Sequence, residues 1–188
     1  VGFDLGPNDV AVRGNYCSVD ATGVVVDRRA GRIPNDVSKE LSKLLSTRVE
    51  DIEFLVETVR EHRLAIVLRG PGLSADINDS DPLKNGYRPL PLRALNPDAE
   101  KMARVVNQFV ERSRQVIEAY TPKPPANMLL LRGFDRVPHF PAFPEMFGLR
   151  AAAIAVYPTY RGIAKLVGMQ VLPVEGGTAA DEFTVLEK

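Results

Sequence analysis

Three arginines, an aspartate and a glycine stand together in the stretch DRRAGRI, residues 27–33, directly after three consecutive valines. A short apolar strand would carry these charged groups into a loop at its end. Arginine has a permanent charge on a planar fork of donors, which matches the oxygens of phosphate and carboxylate groups two at a time. The stretch therefore predicts a site for a phosphorylated or carboxylated small molecule; the alternative is a solvated strand end whose charges pair with one another. The candidate binding residues in this stretch are Asp27, Arg28, Arg29 and Arg32.

Two later apolar runs are each followed by an arginine and then a glycine. The run LAIVL, residues 64–68, is followed by Arg69 and a glycine, and the run NMLLL, residues 127–131, is followed by Arg132 and a glycine. Ligands gather beyond the carboxyl ends of the strands in an open α/β sheet. If the three strand ends are neighbours, they form one pocket that contains four or more guanidinium groups.

The first predicted strand, residues 9–19, carries Arg13 and Asn15 in its middle. These two residues are either exposed on the strand or further polar groups of the same pocket. Hydrophobic periodicity predicts the other elements of the first part of the chain, which are strands at 23–27, 51–60, 64–68 and 127–131 and helices at about 36–45 and 98–120. A long, proline-containing loop joins the strand at 64–68 to the helix at 98–120.

Shorter elements follow in the last third of the chain. They are a helix at 142–148, a strand at 150–157, a helix at 160–167, a strand at 169–174 and a small-residue loop at 175–182, with a strand-like FTVLE after it. The order of all these elements predicts an α/β sandwich, a mixed β-sheet with flanking helices. Antiparallel hairpins would lie at one edge of the sheet and parallel βα units in the second half.

The composition restricts the class of protein. The 188 residues contain 24 Lys and Arg and 24 Asp and Glu, and this zero net charge argues against a nucleic-acid binder, which needs a basic excess. A single cysteine, Cys17, rules out a disulfide framework and a cysteine-rich metal site, and it favours a reducing, cytoplasmic compartment. The longest apolar run stays well short of the ~18 residues of a membrane span.

Catalytic motifs are missing from the chain. There is no nucleophile elbow, phosphate-binding P-loop, GxGxxG or zinc spacing, and Ser74 in PGLSAD lacks the flanking glycines of an elbow. Asp79 and Asp81 fit a turn better than a metal site, and His139 fits a surface loop better than a general base. Anion-binding groups without a catalytic group predict a substrate-holding domain rather than a complete enzyme.

Six stretches of the chain, taken together and in order, resemble the archaeal-type cofactor-independent (2,3-bisphosphoglycerate-independent) phosphoglycerate mutases. The stretches are GPNDVAVRGNYCSVD (6–20), VVVDRRAGRI (24–33), HRLAIVLRGPGLSADINDSDP (62–82), PPANMLLLRG (124–133), FGLRAAAIAVYPTYRGIAKLVGM (147–169) and VEGGT (174–178). They cover nearly the whole chain. The sequence departs from the family pattern after Arg132, where a glycine and then Phe134-Asp135-Arg136 follow, and again after the VEG stretch.

This resemblance implies a protein with two domains. A catalytic domain similar to alkaline phosphatase would carry two divalent metal ions of the Mn, Mg or Zn type and a serine nucleophile. A second domain, inserted into the first, would position the phosphoglycerate. Residues 1–188 would form this inserted domain alone, without catalytic residues or metal ligands. The substrate-binding residues would be Arg13, Asn15, Asp27, Arg28, Arg29, Arg32, Arg69 and Arg132.

The function implied by the resemblance is part of an enzyme that interconverts 3-phosphoglycerate and 2-phosphoglycerate in glycolysis and gluconeogenesis. The expected partners are these two substrates and the parent's catalytic domain, with no nucleic acid and no membrane. The isolated domain is expected to be inactive. Two alternatives remain open: a stand-alone module that binds a phosphorylated metabolite, and the specificity domain of a related phosphate- or phosphonate-ester enzyme.

Overall fold

The computed structural model describes residues 3–187 and contains two compact units, which divide between Val137 and Pro138. Unit 1 consists of β1 (Val10–Val19), β2 (Val25–Asp27), α1 (Asn35–Leu45), β3 (Thr47–Val49), β4 (Ile52–Arg60), β5 (Arg63–Arg69), α2 (Glu100–Ala119) and β6 (Met128–Arg136). Unit 2 consists of α3 (Phe143–Phe147), β7 (Ala152–Ile154), α4 (Pro158–Leu166), β8 (Gln170–Leu172) and α5 (Ala179–Leu186). None of the described helices has the length and apolar character needed to cross a membrane.

The sheet of unit 1 has the strand order β6–β1–β5–β4–β3, and β2 pairs with the end of β1. Every pairing in this sheet is antiparallel. The α/β class is confirmed, but the prediction of one mixed sheet is wrong, because the parallel strands form a separate sheet in unit 2. Short connections allow only antiparallel neighbours. The long loop and α2 carry the chain to the far side of β1, so β5 and β6 run in the same direction with β1 between them.

Alternating side chains give this sheet two different faces. Val12 of β1 and Ile66 of β5 point into the main core, which α1 and α2 cover. Phe54 of β4 stacks on Phe109 of α2 with 4.3 Å between ring centroids. We call this side the helix-covered face. On β1, β5 and β6 the alternate positions, which include Arg13, point to the opposite side, which we call the open face.

Unit 2 contains the parallel βα arrangement that the sequence predicted. β7 and β8 pair in parallel, and α4 connects them. The predicted loop at 175–182 and the strand-like end are wrong, because α5 begins at residue 179. The side chain of Thr178 accepts from the N–H of Asp181, whose carboxylate accepts in return from the N–H of Thr178 at 2.8 Å. This capping box starts the helix where small residues alone predicted none.

Candidate anion-binding site

The register of β1 against its two neighbours brings several polar residues together on the open face. Arg13 lies opposite Arg132 of β6, and Asn15 lies opposite Arg63 of β5. Directly opposite residues have Cβ atoms about 5 Å apart, and like charges at that distance repel. Three guanidinium groups are therefore concentrated around the centre of the sheet. Arg13 also donates from Nε to Oδ1 of the buried Asn15 side chain, at 3.4 Å.

The DRRAGRI loop after β2 is held by the carboxylate of Asp27. Its two oxygens accept from the N–H of Arg29 at 2.8 Å and from the N–H of Gly31 at 2.6 Å. The hydrogen bond from Gly31 is the main reason that the pKa of Asp27 lies below its usual value. The carboxylate of Asp27 is thus engaged by the backbone of the loop, and it positions the arginines of that loop.

The backbone of this loop is strained. Three consecutive residues have positive φ: Ala30 at 46°, Gly31 at 61° and Arg32 at 54°. Glycine adopts this conformation freely, whereas each other residue pays about 1–2 kcal/mol for it. Backbone strain of this kind persists only where the surroundings enforce it, and it is concentrated at functional sites. The buried Ala30 side chain and the two bonds to Asp27 enforce it here.

Arg28 forms a two-pronged ion pair with Asp81. Nε lies 2.9 Å from Oδ1 and Nη2 lies 2.6 Å from Oδ2. Burial of Asp81 opposes its ionisation, but the bonds from Arg28 and from the N–H of Leu83 keep its pKa below the usual value. The bond from Leu83 also agrees with the predicted turn-forming role of Asp81. The segment is fixed to β6, because the N–H and hydroxyl of Ser80 bond to the backbone of Leu131.

Arg69, the last residue of β5, is ion-paired as well. Its Nη2 lies 2.8 Å from Oδ2 of Asp9 and 2.9 Å from the carbonyl oxygen of Asp4. The hydrogen bond from Arg69 is the main cause of the lowered pKa of Asp9. The predicted convergence of three strand ends is wrong, because β2 pairs with the Ser18–Val19 end of β1 whereas Arg69 lies at the opposite, Val10 end. Arg132 lies within β6, opposite Arg13, rather than after the strand.

His62 lies beside the arginine cluster and is 3% exposed. Burial is the main cause of its lowered pKa, and the neighbouring charges of Arg63, Arg29 and Arg13 lower it further. The backbone oxygen of His62 accepts from the N–H of Tyr16 at 2.8 Å, so His62 lies where β5 begins beside β1. Arg29, Arg32, Arg63 and Arg132 make no ion pair with any carboxylate among residues 3–187.

Sequence reasoning missed His62, Arg63 and Asp81 as members of this region. The sequence shows HR only as a turn before a strand. The position of Arg63 opposite Asn15 depends on the pairing of β1 with β5, and no local pattern specifies that pairing. The burial of Asp81, which requires a cationic partner for its carboxylate, is likewise visible only in the structure.

Two further features of the described residues are a cavity apart from this cluster and the cysteine of β1, which lies two residues after Asn15. A cavity of about 540 Å³ is bordered by the turn at 20–23, Arg88 and Arg114, and none of the predicted binding residues lines it. Cys17 is fully buried, and this burial raises the pKa of its thiol to about 12. In the part of the chain that the structure describes, no three His, Cys, Asp or Glu side chains are arranged to hold a metal ion.

These features define an α/β protein with a cation-rich sheet face. A sequence profile described as 2,3-bisphosphoglycerate-independent phosphoglycerate mutase matches residues 1–121. The chain belongs to this family. It is similar to probable mutases of this type from Aquifex aeolicus, with 43% identity over 100% of the chain, and Thermus thermophilus, with 46% identity over 94%.

The structural comparison agrees with this family membership. The chain resembles the cofactor-independent phosphoglycerate mutase from Thermoplasma acidophilum with a TM-score of 0.72, 34% identity and 93% of the chain covered. That match covers 50% of the Thermoplasma chain, and the Aquifex and Thermus matches cover 48% and 43% of those proteins. The chain thus spans about half the length of the relatives it matches.

Proposed function

We propose that this chain is the substrate-positioning part of a cofactor-independent phosphoglycerate mutase, which interconverts 3-phosphoglycerate and 2-phosphoglycerate. The observation that carries the proposal is the pair Arg13 and Arg132, which lie opposite each other on the open face beside the strained DRRAGRI loop. A phosphoglycerate carries a phosphate and a carboxylate, and both acidic groups match the guanidinium fork.

The predicted binding residues take different roles in this proposal. Arg13, Arg29, Arg32 and Arg132 supply the positive charge, and Asn15 orients Arg13. Asp27 holds the loop. Arg28 and Arg69 already bond to Asp81 and Asp9. They would therefore attract the ligand by their charge, or donate to the ligand and to the aspartate at the same time. The residues to which we assign the site remain Arg13, Asn15, Asp27, Arg28, Arg29, Arg32, Arg69 and Arg132.

Residues of this type act by position and charge. They would hold the phosphoglycerate in one orientation and stabilise negative charge on a transferring phosphoryl group. In this proposal two divalent metal ions and a serine nucleophile belong to a catalytic domain of the alkaline-phosphatase type, and they supply the phosphoryl-transfer chemistry there. This chain would contribute substrate binding. The enzyme would act in glycolysis, in the cytoplasm.

The prediction that residues 1–188 form one inserted domain stays a prediction, and within the chain we assign ligand binding to unit 1. Unit 2 has few buried residues, and many large apolar side chains on it are exposed, including Phe147, Tyr160 and Phe183. Its two parallel strands have three residues each, and parallel sheets normally have both faces covered. We propose that the catalytic domain in the remaining half of the parent protein covers this surface.

The test is an activity measurement on two proteins: the 188-residue chain and the product of the complete open reading frame. We expect conversion of 3-phosphoglycerate to 2-phosphoglycerate by the second and none by the first. In the longer protein, Arg132→Gln should reduce kcat/KM by about tenfold to a hundredfold, the range for a lost charged hydrogen bond. Arg114→Gln, which removes a charge from the exposed side of α2, is the matched control. Activity of the chain alone, or equal activity of both variants, would contradict the proposal.

A further inference from the structure

We infer that Arg63 is a further anion-binding residue of this site, an inference that rests on the proposed function. The geometry that carries it is the open face of the sheet. Arg63 begins β5 and lies opposite Asn15, while Arg13 bonds to that same asparagine. Its neighbour Leu64 points into the main core, so the side chain of Arg63 points to the side where Arg13 and Arg132 lie.

Arg63 makes no ion pair among residues 3–187, and its Nε is buried without a hydrogen-bond acceptor. The carboxylate that the strand register brings to this face is Glu57 of β4, which lies opposite Ala65 and makes no ion pair in the same part of the chain. Asp27 accepts from the DRRAGRI backbone and Asp81 binds Arg28. A buried, unpaired donor on a charged group is unfavourable, and a charged acceptor removes that penalty.

A second unpaired polar atom lies next to it in the chain. Nδ1 of His62 is also buried without a hydrogen-bond partner, at 3.9 Å from a carboxylate oxygen of Glu61, and the residue is 3% exposed. His62 is the turn residue before β5, and its backbone oxygen accepts from the N–H of Tyr16 at 2.8 Å, which fixes the start of β5 beside β1. The Nη groups of Arg63 make no hydrogen bond among residues 3–187, and an acidic group of the ligand would bond to them rather than to the covered Nε.

Packing also fixes Arg63 before any ligand binds. Its Nε is covered by protein, so the side chain is restrained without the help of an ion pair. A restrained guanidinium loses less entropy when it binds an anion than a free surface arginine does. Arg63 therefore combines preorganisation with unused donors, whereas Arg28 and Arg69 have their donors engaged.

The test is calorimetric titration of the 188-residue chain with 3-phosphoglycerate. We expect Arg63→Gln to weaken binding by about tenfold to a hundredfold. Arg63→Lys, which keeps the charge but loses the fork, should recover part of the affinity. Arg114→Gln is the control for net charge, and thermal unfolding of each variant checks that it is folded. In the unchanged chain, the NMR signal of the Arg63 Nε–H group should shift as ligand is added.

The outcomes separate this inference from the proposed function. If the unchanged chain binds 3-phosphoglycerate and folded Arg63→Gln and Arg63→Lys chains bind it within twofold as tightly, the inference about Arg63 is wrong and the proposed function stands. If the unchanged chain itself shows no binding at millimolar ligand, the assignment of substrate binding to this chain fails, and the role of Arg63 fails with it. Should Arg63→Gln not fold, the lysine variant and the Nε–H signal decide the question.

Discussion

At the scale of single residues, the ion pair of Arg28 with Asp81 is the contact that fixes the acidic loop to the arginine cluster. The Asp81 side chain is fully buried, with 0% exposure, and the Arg28 side chain is 26% exposed. Removal of one partner from a buried pair leaves an uncompensated charge, which costs about 3–5 kcal/mol. We therefore expect Asp81→Asn to lower the free energy of unfolding by about that amount, measured by urea denaturation at neutral pH. Glu118→Gln, which breaks the exposed pair with Arg114, should cost less than about 1 kcal/mol.

The same variant should alter how stability depends on pH. The pKa of Asp81 is lower in the folded protein than its ordinary value. Its contribution is therefore complete above the unfolded pKa of about 3.9 and is lost as the pH falls through the folded value. The unchanged chain should lose more stability between about pH 5 and pH 2 than Asp81→Asn does. Parallel pH profiles, or equal costs for Asp81→Asn and Glu118→Gln at neutral pH, would contradict this account of Asp81.

The candidate arginines could be found in the sequence, but the sequence did not show which of them are ion-paired within the protein. Arg and Gly after an apolar run are visible in any reading of the chain. Whether such an arginine is available for a ligand depends on partners far away in sequence, as Arg28 and Asp81 show, since they are 53 positions apart. The strain at Ala30 and Arg32 was equally hidden, because neither residue type favours a positive φ.

At the scale of elements, α2 determines which face of the sheet remains open. Phe109 is fully buried and stacks on Phe54, which links α2 to β4. Phe109→Ala should destabilise unit 1 by about 3–5 kcal/mol, the usual cost of an emptied aromatic site in a core. Leu44→Ala on α1, where the leucine is 56% exposed, should change stability by less than about 0.5 kcal/mol. Urea denaturation measures both, and equal effects would show that α2 does not form the core as described.

The elements themselves were largely predictable, because their periodicity is local. Strand alternation in β1 and β4 and the apolar stripe of α2 follow from the sequence, and the structure confirms them within a few residues. The arrangement of strands was not predictable in the same way. The sequence pattern of one strand does not show which strand it pairs with. The separation of the parallel pair from the antiparallel sheet is therefore visible only in the structure.

At the scale of the whole molecule, the division at Val137 and Pro138 separates two surfaces of different character. Unit 1 has a proper core and a cation-rich face. Unit 2 exposes much of its apolar surface, and the chain spans about half of its relatives. In the function that we propose, unit 1 binds the substrate and a domain outside this chain carries out the chemistry.

The central claim is that the open face of unit 1 binds phosphoglycerate, and an NMR titration of the 188-residue chain with 3-phosphoglycerate tests it most directly. The measurement follows backbone amide and arginine Nε–H signals up to millimolar ligand. The account predicts saturable shifts at Arg13, Asn15, Arg132 and residues 27–33, with the exposed side of α2 unchanged. Shifts confined to the separate cavity beside Arg88 and Arg114, or no shifts at all, would contradict it.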